Sequence, residues 1–90
     1  MPDRPPDQRK EPRFKADGIV EILCEEDPTA APITARLLDV SASGFRAAHS
    51  GCALSRGQTV RFRHPSASGR ARVVWNRIDG DVTETGFVLV

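Results

Sequence analysis

In the strand-like runs of this chain apolar positions tend to recur with a period of two, most cleanly over residues 59–64. Apolar positions do not recur at spacings of three and four over two turns, so the pattern predicts strands and no long helix. Gly18 opens Ile19-Val20-Glu21-Ile22-Leu23-Cys24, a run rich in β-branched residues. Ile33-Thr34-Ala35-Arg36-Leu37-Leu38 follows, with Ile33, Ala35 and Leu37 on one face, and Gly44-Phe45-Arg46-Ala47-Ala48 makes a third strand. In the fourth, Val60, Phe62 and His64 share one face while Thr59, Arg61 and Arg63 share the other. His64 thus reads as a core or rim residue. Ala71, Val73 and Trp75 alternate with Arg72, Val74 and Asn76 in the fifth, which places Trp75 in the core. Thr85 to Val90 is the sixth.

Between the strands lie turn signals: Glu25-Glu26-Asp27-Pro28, Gly51 and Ser55-Arg56-Gly57, Pro65 to Gly69, and Asp79-Gly80. A helical turn is expected around Ala53-Leu54. Six short strands punctuated in this way indicate an all-β fold, an antiparallel barrel or a small sandwich, and closure into a barrel would remove the exposed edges. Residues 1–17 are different. Pro2, Pro5, Pro6 and Pro12 stand there among charged residues, with Phe14 as the large apolar residue. That composition predicts a flexible arm over 1–17, docked at its end by Phe14, and a barrel over 18–90.

Ninety residues make a small domain that buries only about 60% of its unfolded surface, which favours a surface site over a deep catalytic cavity. The formal net charge is +1, so no global field attracts nucleic-acid polymers or anionic membranes. Met1-Pro2-Asp3-Arg4 leads into no apolar h-region, and no run approaches the ~20 apolar residues of a membrane helix. The expectation is a soluble cytoplasmic protein without membrane insertion, with Cys24 and Cys52 as reduced thiols and Cys24 buried in its strand. His49 and His64 are isolated, no paired Cys/His spacing indicates a metal, and Ser41 does not sit in a GxSxG elbow. No catalytic residue, metal ligand or cofactor is assigned, and the protein is expected not to be an enzyme.

Two short stretches carry chemistry. Arg9-Lys10-Glu11-Pro12-Arg13 places two arginines four apart, roughly on one side of an extended segment. On charge alone the pair reads first as a solvated basic arm. Guanidinium forks can also bind phosphate bidentately and read guanine O6 and N7, which Lys10 does with poorer geometry. Asp39-Val40-Ser41-Ala42-Ser43-Gly44 reads equally as a tight turn or as a site. In a site, Asp39 accepts from guanine N1 and N2 or orients an arginine, Ser41 donates to phosphate, and Gly44 permits φ > 0 and close backbone approach. The exposed arginines Arg61, Arg63, Arg70, Arg72 and Arg77 offer an alternative oligonucleotide face. Aromatic residues are only 6%, which supplies a stacking platform poorly.

Arg9-x-x-x-Arg13 followed after one strand by Asp39-x-Ser41-x-x-Gly44 resembles the PilZ domain family, over about residue 8 to the C-terminus. Ala71-Arg72-Val73-Val74-Trp75 and Thr85-Gly86-Phe87-Val88 are similar to that family's late strand pair. The resemblance implies a six-stranded barrel and a bacterial signalling receptor for cyclic di-GMP, acting through a downstream protein partner. It implies Arg9, Arg13, Asp39, Ser41 and Gly44 as ligand contacts, with Lys10, Ser43 and Trp75 as secondary candidates. Many members carry a further arginine where this chain has Gln8, and many add a helix beyond the last strand. The competing expectation is a PilZ-like protein-interaction module that binds no nucleotide.

Overall fold

The computed structural model of the chain describes residues 12–26, 29–50 and 54–90. Arg9, Lys10, Cys52 and the expected helical turn at Ala53 lie outside the described residues. The described residues form seven strands: β1 (Phe14–Lys15), β2 (Ile19–Cys24), β3 (Ile33–Ser41), β4 (Gly44–Ser50), β5 (Thr59–His64), β6 (Ala67–Asp79) and β7 (Val82–Leu89). Their order is β1-β3-β2-β5-β6-β7-β4, and a further β3–β4 pairing closes six of them into an antiparallel barrel. The barrel is one of the two all-β forms that the strand pattern left open, and the one that the resemblance implies. The two-residue β1 lies outside the ring, with Phe14 opposite Val40 and Lys15 opposite Asp39. Docking here is by backbone, because the Phe14 ring is 61% exposed.

Several turns are tighter than expected. The Asp39 to Gly44 stretch does not interrupt the sheet. β3 runs to Ser41, Ala42 and Ser43 turn, and β4 begins at Gly44. Likewise only Pro65 and Ser66 form the turn before β6.

Inside the barrel, Val20, Ile22, Ala35, Leu37, Phe45, Ala47, Val60, Ala71, Val73 and Phe87 form the core, joined by Leu54 from a loop. Phe45 stacks on Phe87 with ring centroids 4.6 Å apart and meets Phe62 at 5.0 Å. Such aromatic contacts contribute about 0.5–1.5 kcal/mol each beyond area burial. Cys24 is half-buried at the edge of this core rather than enclosed, and it accepts a hydrogen bond from Gln58 Nε2.

Two β-bulges decide which residues leave the core. In β3 the register shifts between Leu37 and Asp39, and in β6 between Val73 and Trp75. Simple alternation from Leu37 and Val73 would turn Asp39 and Trp75 inward. The extra residue in each strand, Leu38 and Val74, reverses that, as bulges do. Trp75 is therefore not a core residue: it is 37% exposed on the outer face.

One end of the barrel holds a polar chain. Asn76 Nδ2 donates to Leu54 O at 2.6 Å, Thr85 Oγ1 donates to Asn76 Oδ1 at 2.7 Å, and His49 Nε2 lies 3.0 Å from Thr85 Oγ1. Since the Thr85 proton is committed, the network assigns the His49 proton to Nε2. Nδ1 is then a buried acceptor with no hydrogen-bond partner among the described residues. Burial holds the imidazole below its usual pKa, only partly offset by the Ser50 backbone beside it. A base whose folded pKa is depressed contributes stability above its unfolded value, near 6.5, and loses it as pH falls. The urea midpoint of the parent is expected to fall between pH 7.5 and 5.5. In His49→Gln, which keeps a donor for Thr85 but cannot titrate, that fall should shrink. Equal slopes would contradict the assignment.

Candidate functional site

The hairpin and the bulges line up a row of residues across the outer face. Counting back from the Ala42–Ser43 turn, Ser41 pairs with Gly44, Val40 with Phe45, and Asp39 with Arg46. Arg46 in turn faces Gly86 of β7, and Gly86 faces Trp75 of β6. Cross-strand partners share a face, so Asp39, Arg46, Gly86 and Trp75 form one band, and Arg13 reaches its β3 end. Around this band opens a cleft of about 610 Å³, whose walls include Arg13, Ser41, Ser43, Gly44, Arg46 and Trp75. The N-terminal arginine and the hairpin residues are thus brought together. Arg9 and Lys10 lie outside the described residues.

Asp39 is the electrostatic centre of the band and only 7% exposed. Arg13 donates to Asp39 Oδ1 from Nε at 3.2 Å and from Nη2 at 3.1 Å. Arg46 donates to Oδ2 from Nε at 2.8 Å and also from Nη2. Burial by itself raises the Asp39 pKa, but the hydrogen bonds from Arg46 and Arg13 outweigh it and leave the carboxyl below its ordinary value. In this arrangement the carboxylate orients two arginines, so neither oxygen stands open for guanine.

Gly44 does not occupy the conformation first expected of it. Among the described glycines, positive φ belongs to Gly18, Gly57 and Gly80. Gly44 is required because β7 passes so close that a Cβ would lie 2.0 Å from Phe87 O. Ser41 Oγ donates to the Gly44 carbonyl at 3.4 Å, a long bond that a phosphate oxygen could replace. Gly86 serves the same purpose for Trp75: a Cβ there would lie 2.3 Å from the indole Nε1. Gly86→Ala is therefore expected to lift the indole off the sheet. Trp75 is the single tryptophan, so a red shift of intrinsic fluorescence reports it directly. An unchanged spectrum would show that the ring does not depend on Gly86.

Sequence reasoning missed Arg46, although a tight turn at Ala42-Ser43 pairs position 39 with position 46 once strand continuity is granted. The arginines offered as an oligonucleotide face are largely paired instead. Arg63 meets Glu21 at 2.8 Å, Arg70 meets Glu25 at 2.7 Å and Arg77 meets Glu84 at 3.4 Å.

No helix among the described residues is long and apolar enough to cross a membrane. A search of curated proteins yields no significant match. Among solved structures, the inhibitor of motility MotI/DgrA of Bacillus subtilis is similar, with TM-score 0.74 and 18% identity. The alignment covers 93% of this chain and 43% of that protein, so this chain spans less than half of the other's length. At that identity the likeness speaks to the fold. The family model described as PilZ domain matches residues 7–89, nearly the whole chain and both arginine and hairpin motifs. The chain accordingly belongs to the PilZ domain family of bacterial signalling receptor and adaptor modules.

Proposed function

We propose that this domain is a non-catalytic cytoplasmic receptor for cyclic di-GMP, which passes the ligand's arrival to a protein partner. The observation that carries the reading is the shared cleft: Arg13 of one motif and Ser41 and Gly44 of the other line the same opening. Guanidinium forks, a hydroxyl and an indole suit a ligand with two phosphates and two flat guanine rings. In this reading Arg9 and Arg13 hold guanine and phosphate, Ser41 donates to phosphate and Gly44 keeps the floor low. Lys10, Ser43 and Trp75 lie in secondary contact.

Ordering sets the energetics. Each residue fixed costs about 1–2 kcal/mol of backbone entropy, and a bidentate arginine–guanine pair contributes about 1–3 kcal/mol. Arg13 already rests on Asp39 and β1 is paired, so in this reading those contacts need not be formed anew when the ligand binds. Ordering of the arm over the nucleotide would then make the surface that a partner reads. Calorimetric titration of Arg9→Ala and Arg13→Ala tests this, with an expected loss of about five- to hundredfold in each. Wild-type affinity in either variant would refute the arm mechanism. Absence of heat and of amide shifts in the unaltered protein would instead favour an interaction module that binds no nucleotide.

A further inference from the structure

The residue opposite Asp39 belongs to neither motif. Arg46 projects from β4 into the cleft, its side chain 37% exposed, with Asp39 on one side and Gly86 on the other. Its guanidinium has five N–H donors. Nε and Nη2 each commit one to Asp39 Oδ2. Nη1 stands 3.7 Å from Glu84 Oε1, beyond hydrogen-bond reach. The other three N–H groups therefore meet no hydrogen-bond acceptor among the described residues. Charge is also unbalanced along the band: Asp39 and Glu84 are shared among Arg13, Arg46 and Arg77. Gly86, the next residue in the row, carries no side chain of its own, and the Trp75 indole lies over it, so the cleft beside the fork is bordered by a flat ring.

We propose that Arg46 is a further guanidinium of the ligand site, binding a phosphate of the nucleotide, and that Asp39 acts on it as a positioning residue. The inference rests on the cyclic di-GMP reading above and adds a contact to it. Arg46 suits the task because it is held before the ligand arrives. Its Nε edge is fixed by Asp39, so little rotamer freedom remains to be lost on binding. A phosphate could approach Arg46 from the open cleft that Arg46 lines with Ser41 and Ser43, without first breaking that pair.

Removing Arg46 uncovers the Asp39 charge, which would itself repel a phosphate, and the experiment must separate the two effects. Cyclic di-GMP is titrated calorimetrically into the unaltered chain, Arg46→Ala, Asp39→Asn and the Asp39→Asn/Arg46→Ala double variant, each shown to be folded by circular dichroism. Arg46→Ala is expected to bind about tenfold or more weakly, as loss of a charge-assisted contact implies. The double variant should remain about as much weaker than Asp39→Asn alone. Unchanged affinity in Arg46→Ala overturns the proposal. So does a double variant that matches Asp39→Asn, since Arg46 would then only neutralise Asp39. If the unaltered chain binds and Arg13→Ala does not while Arg46→Ala does, only this inference fails. If the unaltered chain gives no binding, both readings fall.

Discussion

Gly44→Ala is expected to melt at least about 12 °C below the parent protein, which corresponds to a loss of about 3 kcal/mol for a domain of this size. The reason is backbone geometry. A methyl group at position 44 would lie 2.0 Å from Phe87 O, 3.0 Å from the Phe87 carbonyl carbon and 3.1 Å from Val88 Cα. Rotating a side chain cannot relieve contacts with backbone, so β4 or β7 must move. Those two strands are registered from Gly44–Val88 to Ser50–Val82, and the Phe45–Phe87 stack sits beside the clash. Overpacking ordinarily costs about 1–3 kcal/mol, and an obstacle made of main chain belongs at or above the upper end. Gly57 and Gly80 make a useful contrast, since a Cβ at either meets nothing within 4 Å and only the positive φ opposes substitution. Thermal denaturation followed by circular dichroism decides the matter. A Gly44→Ala melting point within about 2 °C of the parent would show that the strands part easily. The motif glycine is thus a packing residue, and loss of ligand binding in this variant would follow from loss of the fold.

Asp39→Ala is expected to destabilise the protein by about 2 kcal/mol at pH 7 and to loosen β1. Hydrogen bonds to charged groups contribute about 1.5–3 kcal/mol, and partial exposure of both arginines, at 46% and 37%, trims the sum. Without the carboxylate, Arg13 loses its hydrogen-bond acceptor and Arg46 keeps only the 3.7 Å approach to Glu84. The Ala16 amide, bonded to Leu38 O at 3.0 Å, reports whether β1 stays docked. Its hydrogen exchange should accelerate more than that of the β6–β7 amides. The pH dependence has a definite sign. The folded pKa of Asp39 lies below its unfolded value: burial raises it, but the hydrogen bonds from Arg46 and Arg13 lower it further. The contribution is therefore complete above the unfolded value, about 3.9, and is lost as pH falls through the folded one. Urea denaturation of parent and Asp39→Asn should show a gap at pH 7 that narrows toward pH 3. A gap independent of pH would mean that the carboxylate charge is not what stabilises the pair.

Both expectations alter how the two motifs are understood. Read as a string, Asp39, Ser41 and Gly44 look like three groups offered to a ligand. In the fold, Asp39 holds arginines, Gly44 admits a neighbouring strand, and Ser41 is bonded to a carbonyl within its own turn. The Arg13 and Arg46 guanidinium groups border the open cleft. Arg13 is a case where string and fold agree, since its fork lines the cleft it was expected to reach.

The alternating pattern was enough for the all-β class and left barrel and small sandwich open. Val20 and Ile22, Ala35 and Leu37, and Ala71 and Val73 point inward as period-2 spacing requires, because the pleat of a strand is a local property of the chain. The arginine and hairpin motifs were likewise legible as residues, and even the Asp39–Arg46 pairing could have been counted from the turn. Tertiary structure alone decided where Asp39 and Trp75 face. Their strands carry one extra residue each, at Leu38 and Val74, and a bulge has no signature in alternation. It forms where a strand must satisfy the core on one side and the register of its neighbour on the other, a competition between segments distant in sequence. The same holds for Gly44 and Gly86: their lack of a side chain is written in the chain, but Phe87 and Trp75 become their neighbours only when the sheet closes.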